Sequence, residues 1–132
     1  EASARWPELR AGRVPVRGGW RLYSSGPGLY LHKVRSCLLG VRESFGEVVF
    51  DPVLPFCLDG LRAEVRLRGR PVQLTYAVRR RTHAPEAITV NGTALDVSRR
   101  DSNPYRRGGV RVDGEILLSL LHNSRNRIEI VL

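Results

Sequence analysis

Residues 87–97 read AITVNGTALDV, and this stretch decides the class of fold. Two short runs, Ala87–Val90 and Ala94–Val97, flank the dipeptide Asn91-Gly92. Asn-Gly favours a two-residue turn in which both residues have a positive φ, because that turn matches the twist of paired strands. The stretch therefore predicts a β-hairpin.

Apolar and polar residues alternate on both sides of this hairpin, as they do in half-buried strands. The predicted strands are Glu47–Phe50, Arg62–Arg68, Pro71–Arg79, Ala87–Val90, Ala94–Val97, Val110–Val112, Glu115–Leu121 and Arg127–Leu132. Gly69-Arg70 is a predicted turn, and Asp113-Gly114 has the composition of a second hairpin turn. Short strands separated by turns predict a mainly β fold, an antiparallel β-sandwich of the jelly-roll type.

Residues 29–39 have a different period. Tyr30, Leu31, Val34, Cys37 and Leu38 follow spacings of three and four, which predicts one α-helix before the sandwich. Gly40 is suited to end this helix and Ser25 to cap its start.

Cys37 and Cys57 are too few for a disulfide framework. We expect both to be small buried side chains, with a bridge between them as the less favoured alternative.

The turn Tyr23–Gly28 lies directly before this helix and reads YSSGPG. A helix N-terminus presents unpaired backbone N–H groups and a partial positive charge, and both attract an anion. Ser24 and Ser25 add hydroxyl donors, and Gly26 and Gly28 let the backbone approach a ligand closely. The turn is a candidate phosphate-binding site, and the alternative is a plain linker with a helix cap.

The charge of the chain does not by itself predict a nucleic-acid or membrane partner. Its net charge is +9, but of the 22 basic residues only Lys33 is a lysine, and the arginines alternate with apolar residues as on a solvated strand face. No nucleic-acid motif accompanies them, and no apolar run is long enough to span a membrane. His32, His83 and His122 share no metal-ligand spacing, so no metal site is predicted.

Three stretches together resemble the C-terminal end of cellobiose-phosphorylase-like enzymes, the inverting glycoside phosphorylases of glycoside hydrolase family 94. They are Tyr23–Tyr30, Leu38–Arg42 and Val49–Pro55, and the Arg-Gly step of the following hairpin corresponds to Arg68-Gly69. The resemblance covers roughly residues 20–80. Pro27, Gly28 and Leu29 depart from the commoner pattern in a way that is closer to the β-1,2-oligoglucan phosphorylase branch.

The resemblance implies that residues 1–40 end an upstream (α/α)6 barrel with its final helix, and that residues 41–132 form a C-terminal β-sandwich domain. It implies phosphate binding by Ser25 and Gly26, with Ser24 beside them. The general acid of the family is an Asp on the barrel, upstream of this chain. No catalytic residue and no cofactor are therefore expected here, and inorganic phosphate is the co-substrate.

The resemblance further implies a parent enzyme that phosphorolyses β-glucosidic oligosaccharides with inversion to α-glucose 1-phosphate, in the bacterial cytoplasm. Its expected partners are the oligosaccharide, phosphate and the upstream barrel. The alternative is a stand-alone carbohydrate-binding module. Such modules stack sugars on exposed aromatic rings, and the two tryptophans, Trp6 and Trp20, lie outside the predicted sandwich.

Overall fold

Two β-sheets dominate the computed structural model, which describes residues 5–13, 25–79 and 84–132. One sheet has three strands in the order β1-β2-β7, and the other has five in the order β3-β4-β8-β5-β6. The strands are β1 (Val41–Ser44), β2 (Glu47–Phe50), β3 (Arg62–Leu67), β4 (Arg70–Ala77), β5 (Ala87–Val90), β6 (Thr93–Ala94), β7 (Val110–Asp113) and β8 (Asn126–Val131). The prediction of a mainly β sandwich is confirmed.

The chain divides into two compact units, residues 1–31 and 32–132. The first contains a short helix, α1 (Trp6–Arg10), and Arg5, directly before this helix, forms an ion pair with Glu8. Helix α2 (Ser25–Lys33) begins in this unit and continues into the second. The second unit contains both sheets and a third helix, α3 (Gly114–Leu120).

The core of the second unit lies between the inner faces of the two sheets. Every second residue of β4 and β8 is buried, as expected for strands with one covered face. One continuous apolar cluster includes Val48 and Phe50 from the three-stranded sheet and Leu74, Tyr76 and Ile130 from the five-stranded sheet. Burial of these large side chains is the main favourable term for the fold.

One strand pair departs from the antiparallel expectation. β4 and β8 run parallel, with Val72 opposite Asn126 and Ala77 opposite Val131. The other strand pairs between the named strands are antiparallel. Alternation specifies which face of a strand is buried and carries no information on strand direction, so the sequence could not predict this pair.

Helix α2 begins earlier than predicted. It starts at Ser25, so Ser25 is the first helical residue and not the residue before the helix. After Lys33 the helix widens into a π-helical turn, Val34–Leu38, in which the Leu39 N–H donates to the Val34 carbonyl. The Ser36 hydroxyl donates to the His32 carbonyl at 2.7 Å, and such back-bonding competes with regular helical geometry.

Asp113-Gly114 does not form the predicted hairpin turn, and Glu115–Leu121 is not a strand. Asp113 instead caps helix α3, since its carboxylate accepts hydrogen bonds from the N–H groups of Glu115 and Ile116 at 2.8 and 3.2 Å. The run EILLSLL fits a strand and a helix equally well by composition. The cap residue in front of it decides for the helix.

Smaller corrections concern single residues. Cys37 and Cys57 are free and exposed, so the prediction that both are buried is wrong. The β3–β4 turn is Arg68-Gly69, one residue earlier than predicted. β6 ends at Ala94, and strand β1 was not predicted. The Asn91-Gly92 hairpin is confirmed, with Val90 opposite Thr93.

Candidate functional site

The predicted phosphate-binding residues fall at the start of α2. Ser24 lies outside the described residues, Ser25 begins the helix and Gly26 follows in its first turn. The N–H groups of Ser25 and Gly26 belong to the first turn, where a helix offers no carbonyl partners. The first turn has no acidic residue, and apart from its neighbours and the backbone of its own helix, no described atom lies within 4 Å of a Cβ built at Gly26. These features agree with an anion at this helix end, and the phosphate roles of Ser24, Ser25 and Gly26 remain a prediction.

The C-terminal end of the same helical segment is fixed to the sandwich by backbone contacts. The Val53 N–H is shared between the carbonyls of Cys37 and Leu38 at 3.3 and 3.4 Å, and the Asp51 N–H donates to the Gly40 carbonyl at 2.7 Å. Gly40 has φ +64°, and a Cβ there would lie 2.0 Å from the Pro52 nitrogen. Only glycine fits this crossing of two backbones.

A side chain from the core completes the attachment. The Tyr76 hydroxyl donates a 2.6 Å hydrogen bond to the Leu39 carbonyl at the end of the π-helical turn. Burial raises the pKa of Tyr76 above its ordinary value, so its hydroxyl remains a donor at any physiological pH. The Leu38–Gly40 and Asp51–Val53 stretches, which carry the family resemblance, thus meet each other in the fold.

Asp51 is a structural carboxylate. It is 8% exposed and forms ion pairs with Arg106 at 2.7 Å and Arg42 at 3.2 Å. Both partners lie in the same unit, and through Arg106 the carboxylate ties the loop after β6 to the end of β2.

An ionic network covers the outer face of the three-stranded sheet, and no sequence pattern indicated it. Glu47 pairs with Arg99 and Arg111 at 2.7 and 2.5 Å, and Asp101 pairs with Arg111 and with Arg42. Hydrogen bonds to Asp101, and secondly to Glu47, raise the pKa of Arg111.

The partners in this network are 10 to 64 residues apart, beyond the reach of any local spacing rule. Several arginines that the alternating pattern presents as solvated are therefore paired with carboxylates.

The described residues hold no candidate metal site. No group of three or more His, Cys, Asp or Glu side chains among them is placed to hold a metal ion. No described helix has the length and apolar content that crossing a membrane requires.

The domain can be assigned by comparison with known proteins. The profile of the glycoside phosphorylase C-terminal domain family matches residues 40–131, the part of the chain that holds both sheets. This chain belongs to that family. The predicted family resemblance is thereby confirmed.

A curated relative supports the same assignment of this glycoside phosphorylase C-terminal domain. The chain is 40% identical over 111 residues to a 1,2-beta-oligoglucan phosphorylase of Listeria innocua serovar 6a. The match covers 83% of the chain but 10% of the relative, so the chain spans about a tenth of the length of that relative.

Proposed function

We propose that this chain is the C-terminal part of an enzyme that phosphorolyses β-1,2-linked glucose oligosaccharides, with Ser25, Gly26 and Ser24 forming part of its phosphate site. The observation that carries the proposal is the 40% identity to an oligoglucan phosphorylase over 83% of the chain. The match covers 83% of the 132 residues, so fewer than 24 residues remain unmatched. Even if all of these preceded the match, a contiguous match would still include the start of α2.

The chemistry explains why a phosphate site is needed beside a single acid. A phosphate oxygen attacks the anomeric carbon from the face opposite the leaving sugar, the glycosidic C–O bond breaks, and a carboxylic acid protonates the leaving oxygen. A β-linked substrate then gives α-glucose 1-phosphate. Phosphate takes the place of the water of an inverting hydrolase, so no carboxylate base is required. We assign the acid to an Asp on the barrel upstream.

The contribution of this chain is binding. The N–H groups of Ser25 and Gly26, which have no carbonyl partner within the helix, and the dipole of α2 favour a phosphate dianion at the start of the helix. The bonds of Leu39 and Gly40 to Tyr76 and Asp51 fix the other end of the helical segment. The sandwich therefore holds the last residues of the helical segment, Cys37–Gly40, which lie in the same compact unit as both sheets.

We also propose that the enzyme works in the bacterial cytoplasm. Its product would be a charged sugar phosphate, which does not cross a lipid bilayer unaided because moving an ion into hydrocarbon is very costly. Fractionation of the native host, followed by detection of the chain in the cytosolic fraction, checks this part of the proposal.

Replacement of Ser25 by Ala in the longer enzyme tests the site. Loss of a hydrogen bond to a charged group costs about 1.5–3 kcal/mol, so the KM for phosphate should rise roughly 10- to 100-fold. The KM for the oligosaccharide should change much less. Ser119→Ala is the matched control, since Ser119 is an exposed serine of α3 whose hydroxyl donates to the Ile116 carbonyl.

Gly26→Ala gives a second, independent test of the same site. A methyl group at Gly26 meets no described atom within 4 Å, so the fold should tolerate it while phosphate loses its close approach. Gly28→Ala, equally free of neighbours among the described residues, tests in the same way whether the second glycine of the turn also lets phosphate approach. An unchanged phosphate KM in both Ser25→Ala and Gly26→Ala removes the site assignment.

The carbohydrate-binding alternative makes a different prediction for the isolated chain. Titration with β-1,2-linked glucose oligosaccharides should give no saturable binding if the chain is only part of an enzyme. Saturable binding would favour a stand-alone module.

A further inference from the structure

Three hairpin turns in the described structure have the same geometry. Phe45-Gly46 joins β1 to β2, Arg68-Gly69 joins β3 to β4, and Asn91-Gly92 joins β5 to β6. In each turn both residues have a positive φ, with values of +47° to +50° for the first residue. These three residues are the non-glycine residues with positive φ in the described part of the chain.

In two of the turns the residue in this conformation bonds to the rest of the domain. The Asn91 amide donates to the Leu120 carbonyl and to Asn126 Oδ1, each at 2.9 Å, and accepts from the Arg127 N–H. Arg68 forms a 2.9 Å ion pair with Glu115. Asparagine is also among the residues that tolerate a positive φ best.

The Phe45 side chain makes no such bond to the described residues, and phenylalanine does not tolerate a positive φ well. Its side chain is fully exposed, at 105% of the reference value, so its ring is in contact with water on all sides. A bulky aromatic residue at a positive φ is an outlier, and the first position of this turn type favours Asn, Asp or Gly. The residue therefore destabilises the hairpin and gains no buried area within the domain. Strained backbone positions of this kind concentrate at functional sites, such as ligand clamps and switch regions.

A second apolar side chain lies near the same end of the domain. The Gly114 N–H donates to the Gly46 carbonyl at 2.8 Å, which places the start of α3 against the turn. Ile116, two residues further on, is 58% exposed. The Arg68–Glu115 ion pair also lies here, since Arg68 Cζ is 3.2 Å from a Cβ built at Gly114. We call Phe45 and Ile116, with this pair beside them, the tip patch.

We propose that the tip patch docks onto another domain of the same, longer polypeptide, with the Phe45 ring as its central contact. The occupant follows from chain length. The matched relative is about ten times as long as the region matched, and the family is by its description a C-terminal domain, so most of such a polypeptide precedes it. Aromatic anchors surrounded by polar residues are the usual centre of such contacts.

This inference rests on the proposed function only in assuming a longer parent. It does not depend on the phosphate site, because it concerns burial of a side chain and not turnover. A failed Ser25→Ala test would therefore leave it standing.

Hydroxyl-radical footprinting read by mass spectrometry tests the docking without any mutation. The oxidation rate of Phe45 should fall several-fold from the isolated 132-residue chain to the longer polypeptide. An equal rate in both forms overturns the proposal.

The variant Phe45→Asn adds a second test, in which the melting temperature should change in opposite directions in the isolated chain and in the longer polypeptide. Asparagine suits the positive φ, so the melting temperature of the isolated chain should rise by about 3 °C. In the longer polypeptide the same variant loses the aromatic contact, so the melting temperature should fall. Tyr105→Asn, which removes an aromatic ring that is 94% exposed and outside the tip patch, is the control and should change both forms alike.

Two results would contradict the docking. A rise in melting temperature of equal size in both forms would mean that Phe45 remains in water. Saturable binding of a β-1,2-linked glucose oligosaccharide to the isolated chain, lost in Phe45→Asn, would instead assign the ring to a sugar.

Discussion

Asn91-Gly92 and Asp113-Gly114 look alike in the sequence and build different structures. The first is the turn of a hairpin, in which Gly92 has φ +85°. The second is the start of helix α3, where Gly114 is needed for space: a Cβ there would lie 2.3 Å from the Gly46 carbonyl oxygen. The same amino acid is thus required for its backbone conformation in one region and for its small size in the other.

The two dipeptides also act on the same helix from opposite ends. Asp113 satisfies N–H groups at the start of α3, and the Asn91 amide donates to the carbonyl of Leu120, its last residue. After Gly114 come several good helix formers, and Leu117 among them is fully buried. The Asp113 cap is therefore followed by residues that can continue a helix, whereas Asn91-Gly92 is followed by Thr93, a β-branched residue that suits a strand.

The largest expected difference in stability between the two regions comes from replacing the glycine of each dipeptide. Gly114→Ala places a methyl group against a backbone carbonyl that cannot move easily, so we expect a loss of about 3 kcal/mol in unfolding free energy. In Gly92→Ala the added methyl group has open space among the described residues, and only the positive φ is unfavourable. The expected loss in unfolding free energy is about 1–2 kcal/mol. Urea unfolding of both variants measures this order, and a larger loss for Gly92→Ala would break the comparison.

The next effect concerns Asn91. Asn91→Ala loses three hydrogen bonds and keeps the positive φ, so it should destabilise the chain by about 2 kcal/mol. Asn91→Gly loses the same bonds without the backbone strain and serves as the control. If Asn91→Gly unfolds at the same urea concentration as the parent chain, the bonds to Leu120 and Asn126 contribute nothing measurable.

The smallest effect is at the helix cap. Asp113→Ala should cost about 1 kcal/mol, the usual value for loss of an N-cap side chain. Asp113→Ser retains a cap acceptor and should recover most of that stability. Thermal unfolding followed by circular dichroism is sensitive enough, and equal melting temperatures for the Ala and Ser variants would show that the cap acceptor does not stabilise the helix.

Much of the fold was predictable because its signals are local. Alternation predicts the strands, Asn91-Gly92 predicts its hairpin, and Gly40 ends the helical segment at a positive φ, as its position suggested. The parallel pairing of β4 with β8 was not predictable. Paired residues of these strands are 54 positions apart in the sequence, and no local pattern indicates the relative direction of strands so far apart. The start of α2 was missed because its first residues, SGPG, are poor helix formers.

The candidate site is less determined by the sequence than the fold is. The resemblance identified the family, and the anchoring contacts of Leu39, Gly40 and Asp51 explain why the stretches that carry it lie together. The phosphate roles of Ser24, Ser25 and Gly26 and the boundary at residue 40 remain predictions. Ion pairs such as Arg42–Asp101, 59 residues apart, depend on tertiary structure alone.

The position of β8 has a consequence for how the domain is made. β8 is the last of the eight named strands in the described chain, yet it lies in the middle of the five-stranded sheet, between the β3–β4 hairpin and the β5–β6 hairpin. While a ribosome is still adding residues 126–131, those hairpins have no strand to join them. An isolated two-stranded hairpin is only marginally stable in water. Completion of this sheet must therefore wait until β8 has left the exit tunnel, and until then the edge of β4 that will receive it stays open to pairing with other chains.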